Sequence, residues 1–162
     1  MVRFILVLVM LFNIFVLSSA LSETIDRVVA YVDSYVITLR DFERTASKMK
    51  EKFPEIKNQE ILETIINKLL ILKKSKELFI EGKEEDLITN YIDLKIKSDI
   101  IIPESRIKEY YEENKAKFKN TPYINVRDEI EKYLFEKELN QKLKEHIEEL
   151  KQAAEIRIIF IP

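Results

Sequence analysis

The sequence predicts a mainly α-helical protein with a small antiparallel β-sheet, in which an N-terminal hairpin pairs with a C-terminal strand. Three observations predict it. From Pro122 to about Ala154 there is no Gly and no further Pro, and Val126, Ile130, Leu134, Leu143, Ile147 and Leu150 recur mostly at three- and four-residue spacings. That is the pattern of an amphipathic helix, and at about 1.5 Å per residue it runs for roughly 50 Å. The period then changes: Glu155 to Ile161 alternates and is rich in β-branched residues, which predicts a terminal strand. A lone strand is not stable, and the comparable segment lies near the other end, at Val28 to Ile37. The two ends therefore meet, with helices between them.

The first twenty residues stand apart. Arg3 gives a positive start, Phe4 to Val16 is almost wholly apolar, and Ser18-Ser19-Ala20 supplies small residues before a cut. This is the pattern of a secretory signal peptide cleaved after Ala20, leaving one domain at 21–162. An uncleaved membrane anchor is the alternative, although the apolar run is shorter than the about 20 residues a span needs.

Within 25–42, Val28–Val32 and Tyr35–Ile37 flank Asp33-Ser34, a two-residue hairpin turn. Thr38 then caps a helix whose first turn carries Asp41. Its stripe is Leu39, Phe42, Ala46, Met49 and Phe53, and Pro54 stops it. Asn58 is the expected cap of the next helix, to about Phe79. There Ile61, Leu62, Ile65, Ile66, Leu69 and Leu70 cover well over half the circumference, which places that helix at the centre of the core. Gly82, the one Gly, is expected to end it in a left-handed conformation. A third helix spans Glu84 to Lys97. Pro103 opens a fourth, with stripe Ile107, Tyr110, Tyr111 and Phe118. Lys119-Asn120-Thr121 is a polar joint before the last helix.

Composition excludes more chemistry than it offers. A net charge of −2 and 35% charged residues of both signs argue against nucleic acid as the main partner. With no Cys there is neither a disulfide nor a thiol. One His and no Cys cannot assemble an ordinary zinc site, and one Gly cannot make a glycine-rich phosphate loop. Carboxylate pairs such as Glu112-Glu113 sit on helix faces interleaved with Lys, where solvation explains them. No enzyme, cofactor or metal is expected. What remains is apolar surface. Tyr123, at the start of the last helix, and Phe135, one step off its stripe, are the expected exposed aromatics that could hold unfolded polypeptide.

Four segments also resemble, in order, the SurA-type periplasmic chaperones. IDRVVAYVDSYVITLRDF at 25–42 is similar to their entry hairpin and first helix, and LETIINKLLILKKSKELFI at 62–80 to their second helix. IPESRIKEYYEENKAKF at 102–118 looks like the segment that precedes their parvulin prolyl isomerase domain, and 124–160 like their C-terminal helix and strand. Where the family carries that domain, only three residues separate Phe118 from Pro122. The resemblance therefore implies the chaperone core alone: a helical cradle in the periplasm that binds unfolded polypeptides, outer-membrane protein precursors among them, without ATP or isomerase activity. The alternatives are a non-catalytic envelope adaptor that binds one folded partner, and a chaperone tethered by an uncleaved N-terminus. Two terminal elements that must meet also admit a strand-exchanged homodimer.

Overall fold

The computed structural model describes residues 26–162. The leader expected at residues 1–20 lies outside them. Strands β1 (Val28–Val32), β2 (Tyr35–Thr38) and β3 (Ile156–Ile158) form one antiparallel sheet in the order β2-β1-β3, so the first strand lies between its hairpin partner and the end of the chain. β1 is accordingly the most enclosed, with Val29, Ala30 and Val32 all buried. The hairpin turns at Asp33, whose φ of +51° Asp tolerates better than most residues. The N-terminal hairpin and the C-terminal strand pair as expected.

The last strand is shorter than its sequence suggests and faces the core less. Of its apolar residues, Ile156 and Phe160 pack on the main core, while Ile158, Ile159 and Ile161 remain 48%, 52% and 49% exposed. Alternation puts Ile159 and Ile161 on the face opposite Ile156 and Phe160, but it does not account for Ile158, which shares the parity of that pair. Beyond the strand the chain stays attached: Arg27 stacks over the Phe160 ring at 4.4 Å, and Asn58 Nδ2 donates to the Pro162 carbonyl at 2.5 Å. Asn58 is thus not a helix cap; Lys57 holds that position with no side-chain bond, and Asn58 anchors the end of the chain.

Helix α1 (Leu39–Lys52) starts with a reciprocal capping box, in which the Asp41 amide donates to Thr38 Oγ1 and the Thr38 amide to Asp41 Oδ2. Phe42 and Ala46 are buried as the stripe requires. Phe53 is not: it lies just past the helix at φ −134°, which turns its ring off the stripe and leaves it 62% exposed.

Helix α2 (Asn58–Glu77) is central, burying Ile61, Leu62, Ile66, Leu70, Ile71 and Leu72. It ends in a Schellman motif: the Ile80 amide donates to the Ser75 carbonyl at 3.1 Å and the Phe79 amide to that of Lys76 at 3.0 Å. The left-handed position is Phe79, at φ +56°, and not the glycine expected there. Stopping the helix at this point returns Ile80 to the core. Gly82 has φ +138° in the link to α3 (Glu84–Lys95), where an added Cβ would meet Asp86 Cβ at 3.2 Å. Ser75, fully buried, sits 2.8 Å from the Ile71 carbonyl and 3.1 Å from that of Leu87, its single hydrogen shared across the α2–α3 contact.

A 3₁₀ turn (Lys97–Asp99) leads to α4 (Glu104–Glu113) and then α5 (Tyr123–Ala153). The long helix serves two cores. Leu143, Ile147 and Leu150 join the main one, whereas Val126, Ile130 and Leu134 meet Ile107 and Tyr111 of α4 in a second, smaller core. Phe118 belongs to that second core from beyond the end of α4, its ring stacked on Tyr111 with centroids 5.9 Å apart.

Candidate functional site

The two aromatics singled out from the sequence lie on one helix but do not converge. Twelve residues of helix separate them by about 18 Å along the axis and place them on different faces. Tyr123 is half-buried against the second core, edge-on to Tyr111 at 5.4 Å, and its hydroxyl donates to Glu104 Oε1 at 2.5 Å. Desolvation, and then the Glu104 carboxylate, push the Tyr123 hydroxyl up to about 12. Glu104 is lowered in turn, first by that hydroxyl and next by Arg127, whose guanidinium reaches Glu104, Asp128 and Glu131 within 2.9 Å. Tyr123 thus latches α4 to α5 and offers no open aromatic face. Phe135 is half-buried and belongs to neither core.

Open apolar surface lies elsewhere, in a trough between α1 and α2. Its deeper end, about 260 Å³, is floored by Val36 and Ile37 of β2 and by Ile65, Leu69 and Leu72 of α2. Its shallower end runs past Met49 to Phe53. The two ends share Arg44, Thr45, Thr64, Lys68 and Glu84, so they are one continuous feature. Lys68 and Glu84 pair at 2.5 Å across it, which ties α2 to the first turn of α3.

Local sequence explains the trough. α2 carries apolar residues around most of its circumference, and its neighbours cover only part of them. Ile65 and Leu69 consequently stay half-buried on the open side. β2 is an edge strand, so Val36 remains 46% exposed above them. Phe53 joins because Pro54 ends α1 and its ring swings out. None of these residues was marked as a site from the sequence. The surplus of apolar residues on α2 was the available signal, but which part stays uncovered depends on the packing of α1 and α3.

His146 has a structural partner. Tyr91 Oη lies 2.7 Å from its Nε2, and the two rings stack with centroids 5.7 Å apart. Burial, together with the charge of Glu77, raises Tyr91 above the ordinary phenol range, so it stays a neutral hydroxyl that can donate or accept. The Glu149 carboxylate, 3.4 Å from Nδ1, favours the ring hydrogen on that nitrogen, and in that tautomer Nε2 accepts from the Tyr91 hydroxyl. Among the described residues no group of three or more His, Cys, Asp or Glu is arranged to hold a metal ion, and no helix is long and apolar enough to cross a membrane. Compared with family models, curated proteins and solved structures, the chain matches none.

Proposed function

We propose that the protein is an ATP-independent chaperone of the cell envelope that holds non-native polypeptide segments, precursors of outer-membrane proteins among them. The trough carries this reading. It is long, open at the surface, apolar on its floor and polar on its rim, which suits a chain segment better than a small molecule enclosed on all sides. The four-segment resemblance to the SurA-type chaperone core supports the same reading. The short joint Lys119-Asn120-Thr121 leaves no room for an isomerase domain, so the proposed activity is holding alone.

The test is suppression of aggregation of two unrelated heat-unfolded proteins, measured by light scattering. The chain at molar excess is expected to suppress both, and Phe53→Glu combined with Val36→Glu to weaken that effect. Both positions are exposed, so the double variant should melt close to the parent. Protection of neither client overturns the chaperone reading, and capture of one folded partner only would instead make the chain an adaptor.

A further inference from the structure

The rim of the trough is unevenly charged, and its charge selects an occupant. Lys48 and Lys52 stand on the last two turns of α1, and Lys83 stands just before α3, all three lining the shallow end around Phe53. Among the described residues these three pair with no carboxylate, whereas Arg44 is held by Asp41 at 2.9 Å and Lys68 by Glu84 at 2.5 Å. Against them the same end has one acidic side chain outside those pairs, Glu85. The C-terminal dipole of α1 accounts for a cation in its last turn, but not for Lys83, which belongs to a different element and lines the same space. An apolar floor with a cationic mouth favours a chain whose apolar side chains are followed by carboxylates. A basic segment meets like charge there.

Resting on the chaperone reading, we propose that the trough is selective: it takes polypeptide segments in which a short apolar run is flanked by Asp or Glu, the apolar side chains lying over Ile65 and Leu69 and the carboxylates meeting Lys48, Lys52 and Lys83. The attraction is between exposed charges, so it is modest for each lysine and screened by salt. Three together give a preference on the order of tenfold in affinity.

Fluorescence anisotropy tests this with two labelled peptides that share one apolar run, flanked by Asp residues in one and by Lys residues in the other. The acidic peptide is expected to bind about tenfold more tightly at low salt, and the gap to narrow with added salt. Lys48→Glu, Lys52→Glu and Lys83→Glu together should reverse the preference. Circular dichroism on that variant confirms that it remains folded, and single reversals serve if it does not. Equal binding of the two peptides, or a preference that survives charge reversal, overturns the selectivity. If aggregation is still suppressed in that case, the chaperone reading stands without it. Failure of both peptides to bind, with no suppression of aggregation, removes the two together.

Discussion

Asp33 and Glu155, 122 residues apart, are joined by two hydrogen bonds: the Asp33 amide donates to the Glu155 carbonyl at 2.8 Å, and the Glu155 amide donates to Asp33 Oδ1 at 2.9 Å. The other carboxylate oxygen of Asp33 accepts from Lys73 Nζ at 2.7 Å. One turn residue therefore fastens the hairpin, the central helix and the start of the last strand at a single point. The trough floor is built on the first two of these.

Asp33→Asn tests that point through pH. The Asp33 carboxyl is held below the ordinary range, first by the hydrogen bond from Lys73 and next by the Glu155 amide. Its folded pKa is thus below its unfolded one. The stabilisation is complete above an unfolded value of about 4 and is lost as pH falls through the folded value. Asn keeps the left-handed turn but loses the charge. At pH 7 the variant should melt about 2–4 °C below the parent. That gap should close on acidification, and a constant gap from neutral pH down to complete protonation would show that the ion pair contributes nothing.

Removing residues 155–162 should destabilise the fold severely. Only Ile156 and Phe160 of the five large apolar side chains pack on the core. At about 1.5–3 kcal/mol for each full burial, this half-buried pair supplies about 1.5–3 kcal/mol, to which the loss of pairing along β1 adds. That is a large part of a typical stability of about 5–15 kcal/mol. A truncated chain that melts within a few degrees of the parent would rule out the closure as a source of stability.

Proline substitutions in the same strand separate pairing from packing. Ladder bonds run from the Asp33 amide to the Glu155 carbonyl and from the Ile159 amide to the Val29 carbonyl, each 2.8 Å. Antiparallel alternation puts Ile158, opposite Ala30, at a non-hydrogen-bonded site. Ile159→Pro should therefore lower the melting temperature more than Ile158→Pro. The reverse order would contradict the register.

Phe79→Gly should raise stability. A left-handed Phe costs about 1–2 kcal/mol, partly offset by the greater unfolded-state freedom of Gly, so the expected gain is about 0.5–1 kcal/mol. Phe79 is 90% exposed, so little packing is lost. Urea denaturation gives the value, and a loss of stability would mean that the Phe79 ring makes a contact of its own.

Tyr91→Phe should cost about 1 kcal/mol by removing the hydrogen bond to His146 Nε2, with the ring stack retained. His146→Leu in the Tyr91→Phe background should then cost less than in the parent, because the two residues share one interaction. Denaturant melts of the four proteins close this cycle, and additive losses would deny the coupling.

Much of the fold was legible in the chain because periodicity records burial directly. The 3.6-residue spacing of Val126, Ile130 and Leu134 and the alternation after Glu155 each fix a local conformation with one apolar face. Capping was legible at Thr38-Asp41, where both partners lie within one turn. Asn58 was misread because its side chain bonds to the carbonyl of Pro162, a partner 104 residues away. Gly82 was misread because the position of the helix stop was set by returning Ile80 to the core.

The sequence by itself determined the helices, the hairpin, the terminal strand and the requirement that the two ends meet, since each follows from local pattern and from the instability of an unpaired strand. Only the tertiary structure decided which apolar residues stay open. Tyr123 reads as exposed along the chain, yet it is turned inward by Tyr111 and Glu104. Ile65 and Leu69 read as core, yet they floor a trough because α1 and α3 cover only part of α2. Exposure is a property of what packs on a residue, and those neighbours come from distant parts of the chain.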